Sequence, residues 1–192
     1  MNFTETSLSG CFVIDAEPIT DDRGFFARTF CARTFQERGL NPALAQASRS
    51  YNRQAGTLRG LHFQSHPAME DKLVRCERGA VFDVAVDLRP GSPTFGGWVG
   101  QALTADNGRQ LYIPKGFAHG FQTLEPDTVV YYHIAQAFVP GLTAGVAWDD
   151  PDIAVPWPLP PVGQSPRDLE LPKLADVDRS LLTPFGGAKP SR

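Results

Sequence analysis

The amino-acid sequence predicts a mainly β fold built from short strands. Apolar and β-branched residues recur in runs of strand length, and turn-forming residues separate these runs. The 192 residues include 18 glycines and 17 prolines, which exceeds average usage, and 13 phenylalanines that can fill a core. We therefore expect a β-sandwich or barrel with strands near residues 12–16, 25–30, 58–64, 72–76, 80–88, 98–103, 110–113, 119–124, 128–135 and 144–148.

Turn-forming residues indicate where the predicted strands end. Glycine and proline break an extended run because they favour turn conformations and, for proline, lack a backbone donor. Such breakers flank the predicted strands at Asp22-Arg-Gly24, Arg78-Gly79, Pro90-Gly-Ser-Pro93, Asp106-Asn-Gly108, Pro114-Lys-Gly116 and Pro140-Gly141. A length of 192 residues suits a single domain, which we place at residues 1–185.

Helical signals are sparse. One short helix is expected at 32–38, where Gly39 provides the C-terminal stop, and a weak helical turn near 177–182. Prolines crowd the chain from Pro151 onward, which predicts an extended strap lying over the domain. Residues 186–192 are expected to be a frayed tail.

Composition and charge exclude several classes of function. The chain carries 21 acidic and 18 basic side chains, for a net charge of −3, and has no basic run, so we expect no nucleic-acid partner. It has no basic stretch followed by an apolar one at its start and no apolar run of membrane-spanning length. We therefore expect no signal peptide, no membrane association and a cytoplasmic location. Three cysteines without Cys-x-x-Cys spacing favour reduced, buried thiols.

One motif points to a particular kind of barrel. Gly108 is followed by Pro114-x-Gly116-x-x-His119, which matches the second signature of the cupin barrel and directs the imidazole into the barrel mouth. Metal-binding cupins add a His-x-His pair and a Glu seven residues before a turn glycine. The residue seven before Gly79 is Lys72, and His-x-His is absent from the chain. We therefore expect no metal and no other cofactor.

Two further segments carry polar residues inside predicted strands. Arg59 and His62 are three residues apart and would face opposite sides, unless Gly60 bulges the strand and brings them together. A histidine with a carboxylate partner is a suitable general base near neutral pH. Asp83 and Asp87 share one face of the next apolar strand and indicate either a functional interior or a structural cap for the following turn.

Long ordered strings resemble the dTDP-4-dehydrorhamnose 3,5-epimerase family from about residue 22 to residue 174. The resemblance implies a metal-free cupin jelly roll that forms a homodimer by exchanging N-terminal strands. It also implies a substrate that is a nucleotide-diphosphate sugar. The strings are Leu58-Arg-Gly-Leu-His-Phe-Gln64, Lys72-Leu-Val-Arg75, Val84-Ala-Val-Asp-Leu-Arg89, Ser92-Pro-Thr-Phe-Gly96, Ile113-Pro-Lys-Gly-Phe-Ala-His-Gly-Phe121 and Trp148-Asp-Asp-Pro151.

The resemblance assigns the proton-transfer residues. His62 would be the base that removes protons beside the keto group, held by Asp168, and Tyr132 would return a proton on the opposite face of the sugar. Lys72 would stabilise the enolate oxygen, because a cation beside developing negative charge lowers the barrier. Arg59 and His119 would line the same pocket, while Tyr131 would point away and pack.

The resemblance also assigns binding residues, some of which depart from the family pattern. Arg23 from the partner subunit and Arg167 would contact phosphate, Arg167 replacing a lysine. Phe138 replaces the tyrosine that stacks on the thymine ring. Four further positions would touch the nucleotide or the sugar periphery. Gln46 keeps the family residue, whereas Ser48, Arg28 and Thr143 replace it.

The implied activity is inversion of carbons 3 and 5 of a dTDP-4-keto-6-deoxyhexose, converting dTDP-4-dehydro-6-deoxy-D-glucose to dTDP-4-dehydro-L-rhamnose. An epimerase acting at one carbon remains an alternative, as does CDP or another pyrimidine nucleotide in place of dTDP. An inactive sugar-nucleotide-binding cupin and a metal-dependent cupin oxygenase or isomerase are further alternatives, and Lys72 disfavours the last.

Overall fold

A computed structural model describes residues 1–186 of the chain. The thirteen strands among these residues are short, as predicted, and two short α-helices accompany them. The strands are β1 Asn2–Glu5, β2 Phe12–Asp15, β3 Ile19–Asp21, β4 Gly24–Phe26, β5 Gln46–Asn52, β6 Leu58–Gln64, β7 Lys72–Arg78, β8 Ala80–Asp87, β9 Trp98–Thr104, β10 Gln110–Ile113, β11 Phe117–Thr123, β12 Thr128–Ile134 and β13 Thr143–Gly145. The helices are α1 Ala32–Glu37 and α2 Pro166–Leu169.

Eleven of these strands form two antiparallel sheets, which is the cupin jelly roll. The six-stranded sheet has the order β1-β2-β10-β7-β12-β5, and the five-stranded sheet has the order β13-β6-β11-β8-β9. Strands β3 and β4 form a separate hairpin. Since consecutive strands such as β6 and β7 lie in opposite sheets, the chain brings distant segments together around one interior.

The core explains why the alternating runs become strands. One cluster gathers fully buried side chains from both sheets, among them Val74, Leu111, Leu103 and Phe121. A second cluster packs the outer face of the five-stranded sheet against the C-terminal strap, with Leu61 and Val86 on the sheet side. Burial of such side chains stabilises the fold by about 1.5–3 kcal/mol each.

Three strands were not predicted, and two were predicted too long, at 25–30 and at 144–148, where the observed strand β13 ends at Gly145. Strand β5, with the sequence Gln-Ala-Ser-Arg-Ser-Tyr-Asn, lies at a sheet edge and is largely exposed, so it shows no apolar alternation. Strands β1 and β3 are also mostly exposed. The strand predicted at 25–30 ends at Phe26, because its hairpin partner β3 is only three residues long.

The predicted helix at 32–38 is present as α1, and Gly39 follows it with a φ of +73°. The predicted turn near 177–182 is present as two short 3₁₀ turns, Leu174–Asp176 and Arg179–Leu181. Helix α2 was missed because it is a single turn inside the proline-rich strap. Ser165 caps it by accepting a hydrogen bond from the Asp168 amide.

The strap runs across the domain, as predicted. Val162 pairs with Thr57 in a parallel bridge, and the buried Gln122 amide both donates to and accepts from the Leu159 backbone. These bonds fix the strap before it reaches α2. The expected frayed tail at 186–192 lies outside the described residues, apart from Gly186.

The cysteines are free thiols. Burial raises the pKa of Cys11 to about 12 and that of Cys76 to about 11, which makes both thiols unreactive. Cys31 differs from the prediction because it is only partly buried. None of the helices within residues 1–186 has the length and apolar character needed to cross a membrane.

Candidate active site

A cavity of about 490 Å³ opens at the barrel mouth between the two sheets. Its walls come from β5, β6, β7, β11 and β12, and the strap closes one side. Eleven residues predicted from the sequence to act at the site line this cavity: His62, Tyr132, Asp168, Lys72, Arg59, His119, Gln46, Ser48, Phe138, Arg167 and Thr143.

Strand β6 brings Arg59 and His62 to the same cavity through an irregularity at Gly60. The register between β6 and β11 shifts here, where His119 pairs with His62 and Phe121 pairs with Arg59. Gly60 has a φ of +129°, and a Cβ at this position would lie 2.5 Å from the Gly120 Cα. The sequence-based expectation of a bulge at Gly60 is therefore confirmed.

His62 and Asp168 form a short hydrogen-bonded pair. The Nε2 atom of His62 lies 2.6 Å from Asp168 Oδ1. The Asp168 side chain is buried, while about a third of the His62 side chain is exposed to the cavity. Burial by itself would raise the pKa of Asp168, but hydrogen bonds from His62 and Ser165 outweigh it and lower the pKa. Asp168 is therefore a carboxylate that orients the imidazole.

Tyr132 points into the cavity, and its neighbour Tyr131 points to the opposite face of β12. The Tyr132 hydroxyl lies 3.3 Å from Ser50 Oγ, and its ring stands edge-on to His119. Tyr131 instead packs under the guanidinium of Arg75. Burial raises the pKa of Tyr132 well above its usual value, so the phenol keeps its proton at neutral pH.

Lys72 begins β7 at the back of the cavity, and its ammonium lies 3.0 Å from Glu70 Oε1. Both side chains are about nine-tenths buried. Sequence reasoning missed Glu70, which comes just before the strand rather than within it. The Glu-x-Lys spacing was the available signal, since two residues so close at a strand start can pair.

The two carboxylates of β8 have separate roles. Asp83 Oδ1 lies 2.8 Å from His119 Nε2, so this buried pair belongs to the interior of the site. Asp87 is fully buried and bonds to Arg89, as well as to the hydroxyls of Ser92 and Thr94, which caps the turn after the strand. Of the two interpretations left open by the sequence, Asp83 fits the functional interior and Asp87 fits the structural cap.

Cationic and aromatic groups surround the mouth of the cavity. Arg59 donates to Asn52, and Arg167 donates to the Thr143 carbonyl, which fixes both guanidinium groups at the wall. Phe138 is 60% exposed at the rim and offers a ring face. Arg49 also lines the cavity and was not predicted, because the resemblance assigned only Gln46 and Ser48 in this part of the chain.

Arg23 and Arg28 do not reach the cavity of their own chain. Arg23 lies at the tip of the β3–β4 hairpin, where its exposed guanidinium pairs with Asp21. Arg28 lines a separate depression together with Met1 and Glu17. The structure of one chain therefore leaves both residues apart from the other predicted binding residues.

The donor set at the cavity fits organic acid–base chemistry better than metal binding. Within residues 1–186 no three His, Cys, Asp or Glu side chains converge in a way that could hold a metal ion. Lys72 occupies the position of the metal-binding carboxylate in the cupin pattern, and it is already paired with Glu70. The arrangement combines an oriented imidazole, a protonated phenol and several cations.

Comparison with known proteins identifies the family. Residues 5–176 match the family model described as dTDP-4-dehydrorhamnose 3,5-epimerase. The enzyme of that name from Sinorhizobium fredii is 42% identical over 178 residues, which cover 92% of this chain and 91% of that protein.

Two solved structures show the same fold. The dTDP-4-dehydrorhamnose 3,5-epimerase from Bacillus anthracis, with TDP and PPi bound, is 41% identical with a TM-score of 0.86, covering 90% of this chain and 98% of that one. The dTDP-6-deoxy-D-glucose-3,5-epimerase from Legionella pneumophila, in complex with dTDP-4-keto-L-rhamnose, is 39% identical with a TM-score of 0.91, covering 97% and 99%. The chain therefore belongs to the dTDP-4-dehydrorhamnose 3,5-epimerase family of isomerases.

Proposed function

We propose that this protein inverts carbons 3 and 5 of dTDP-4-dehydro-6-deoxy-D-glucose to give dTDP-4-dehydro-L-rhamnose. The observation that carries the proposal is the pairing of His62 with Asp168 at 2.6 Å in the cavity that also holds the protonated Tyr132. Family membership supports the nucleotide-sugar substrate. The site needs no redox group, because epimerisation beside a ketone is two proton transfers.

The first step uses His62 as a general base. Its Nε2–H donates to the Asp168 carboxylate, which leaves the lone pair on Nδ1 free to accept a proton. His62 removes the proton from the carbon beside the C4 ketone. The C–H electron pair becomes a carbon–carbon double bond, and the carbonyl electron pair moves to the C4 oxygen. The products are an imidazolium and an enolate.

The second step returns a proton from the other face of the sugar. Tyr132 donates its phenolic proton to the same carbon, the enolate collapses to the ketone, and the configuration is inverted. The raised pKa of Tyr132 suits a group that must carry its proton until the enolate forms. Solvent then protonates the phenolate and accepts the proton from His62. The same two steps apply at the second carbon.

Positive charge stabilises the enolate between these steps. Lys72 is the proposed donor to the C4 oxygen, and Arg59 and His119 line the same cavity. Preorganised donors aimed at developing charge are worth about 3–4 kcal/mol each in comparable sites. Lys72 at the back of the cavity thus supplies electrostatic stabilisation that water would provide less well.

The proposed nucleotide contacts lie at the rim. Arg167 and Arg59 are placed to meet the diphosphate, and Phe138 offers its ring to the base. Gln46, Ser48 and Thr143, which also line the cavity, would contact the base and the sugar periphery. A binding comparison of dTDP, CDP and UDP tests the proposed base. Tighter binding of CDP than of dTDP contradicts it.

We also propose a homodimer in which N-terminal strands are exchanged and Arg23 completes the partner's site. The β3–β4 hairpin exposes 70–74% of Ile19, Phe25 and Phe26, an apolar surface suited to burial against a second copy. Arg28 follows this hairpin and would accompany it. An exposed Arg23 on such a hairpin can reach the diphosphate bound to another subunit.

Deuterium incorporation tests the reaction itself. In deuterated water, NMR of the sugar protons should show label at both C3 and C5. His62→Ala should abolish both signals, because His119, the other histidine of the cavity, is only 6% exposed and has little access to the sugar. Label at one carbon supports the one-carbon alternative. Label at neither carbon by the wild-type protein refutes the proposed epimerisation of this substrate.

Subunit mixing tests the shared site. Arg23→Ala and His62→Ala are each expected to be inactive as homodimers. In randomly mixed dimers, about a quarter of the sites combine an intact His62 with an intact partner Arg23, so about a quarter of wild-type activity should return. No recovery in a mixture that is dimeric by light scattering contradicts the proposal that Arg23 acts in trans.

A further inference from the structure

The cavity contains a second carboxylate whose role differs from that of Asp168. Among the described residues that line the cavity, Glu70 and Asp168 are the acidic ones, and each is paired with a different group. Asp168 holds His62, whereas Glu70 Oε1 lies 3.0 Å from Lys72 Nζ. A carboxylate so deeply buried is costly unless a partner compensates it, and Lys72 is that partner.

Hydrogen bonds to the neighbouring residue Asp71 fix the backbone segment that carries Glu70. Its neighbour Asp71 accepts hydrogen bonds from Asn41 Nδ2 at 2.8 Å and from the Tyr112 hydroxyl at 3.0 Å. The Lys115 amide adds a third bond to the same carboxylate. The Glu70 side chain therefore projects into the cavity from a fixed backbone, which makes it a reliable anchor.

The ammonium group of Lys72 requires a partner such as Glu70 to fix its position. Its main chain is fixed between two strands, where it pairs with Ile113 and Ile134. The four-carbon stem nevertheless has several rotatable bonds, and an ammonium is a point charge without the preorganised geometry of a guanidinium. An ammonium has three N–H donors. One that points to Glu70 leaves the others to meet an oxygen of the substrate.

We propose that Glu70 is a positioning residue that holds the Lys72 ammonium against the C4 oxygen of the substrate. This inference rests on the proposed function, in which Lys72 stabilises the enolate. The negative charge of Glu70 opposes the enolate, but an oxygen bound to Nζ lies about 3 Å from the ammonium and about 5 Å from the Glu70 oxygen, because two N–H donors of an ammonium diverge at a tetrahedral angle. Since Coulomb energy falls with distance, the attraction is then about one and a half times the repulsion.

A double-mutant cycle tests this role. The variants are Glu70→Ala, Lys72→Met and their combination, and the readout is kcat for deuterium exchange at saturating substrate. Glu70→Ala should lower kcat about tenfold while changing KM less than about twofold, because positioning acts on the transition state. In the Lys72→Met background, Glu70→Ala should change kcat less than about twofold, since the group it positions is gone.

Conservative and control variants separate positioning from folding. Glu70→Gln keeps an acceptor for the ammonium and should restore kcat to within about threefold of wild type. Glu37→Ala removes an exposed carboxylate that pairs with Arg33 on α1 and does not line the cavity, so it should leave kcat unchanged. If Glu70→Ala does not fold, Glu70→Asp withdraws the carboxylate by one methylene and takes its place in the cycle.

Two results overturn the inference. One is a loss from Glu70→Ala that is as large in the Lys72→Met background as in the wild type, and the other is a Glu70→Gln variant as slow as Glu70→Ala. A wild-type protein that exchanges deuterium at neither carbon removes the proposed function, and this inference with it. If the wild type is active and the losses in kcat from Glu70→Ala and Lys72→Met are independent of each other, the proposed function stands and only the role of Glu70 is refuted.

Discussion

The hydrogen bond between His62 and Asp168 should control the rate of proton removal. Asp168→Asn keeps the size of the side chain and the backbone amide that Ser165 caps, so the strap should stay in place. It removes the negative charge beside His62 Nε2 and can present an amide donor to that nitrogen. The imidazole then favours the tautomer with its proton on Nδ1, the atom that should act as the base.

The structure sets the expected size of this effect. The bond is short, at 2.6 Å, and its acceptor is buried and charged, a class worth about 1.5–3 kcal/mol. A loss of about 2 kcal/mol in the transition state lowers kcat roughly thirtyfold. The proposed diphosphate contacts, Arg59 and Arg167, bond to Asn52 and Thr143 and not to the His62–Asp168 pair, so KM should change little.

Deuterium exchange at C3 and C5 measures the rate directly, and circular dichroism with a melting curve checks the fold. Glu170→Gln is the matched control, because it removes an exposed carboxylate two residues further along the same segment. An Asp168→Asn enzyme within about twofold of the wild-type rate refutes the idea that Asp168 supports the base. An equal loss in Glu170→Gln refutes it as well, since the effect would then be general to the strap.

Three further changes test other parts of the molecule. Tyr132→Phe should reduce epimerisation more than exchange, because deprotonation needs only His62; equal losses by NMR would assign Tyr132 to positioning alone. Gly60→Ala should lower the free energy of unfolding by at least about 2 kcal/mol, since φ is +129° and the new Cβ would meet the backbone of β11; denaturant titration measures this. Burial alone would raise the pKa of Asp87, but the hydrogen bond from Arg89 lowers it. The stability that the Asp87 carboxylate contributes to the fold is therefore complete above about pH 4 and is lost as the pH falls through the folded-state pKa. Asp87→Asn should therefore cost about 3 kcal/mol at pH 7 and less at pH 3, and a cost independent of pH contradicts this.

Sequence patterns predicted the parts of the fold that face an apolar interior. Strands such as β8 and β10 alternate or are fully apolar because the core selects their side chains, and the predicted bounds agree with the observed ones to within a residue. Strand β5 has exposed side chains on both faces, so only its backbone pairing with β12 makes it a strand. That information resides in β12 and not in the sequence of β5.

The candidate site divides in a similar way. His62, His119 and Lys72 lie in strings with fixed spacing, so their place in one cavity followed from the resemblance. Glu70 precedes its strand and does not belong to those strings, and its contact with Lys72 depends on how the loop after β6 folds. Arg23 pairs with Asp21 outside the cavity of its own chain, so its proposed role requires a second chain, which no pattern within one chain describes.

The two His–Asp pairs explain why the base is assigned to His62 rather than to His119. The two histidines are cross-strand partners on β6 and β11, and each places Nε2 against an aspartate. His119 is 6% exposed and packs edge-on to the Tyr132 ring, so its imidazole has little access to a sugar. His62 is 32% exposed and faces the open cavity. Because a base must reach the carbon it deprotonates, exposure favours His62 as the base and leaves His119 to support the wall beside Tyr132.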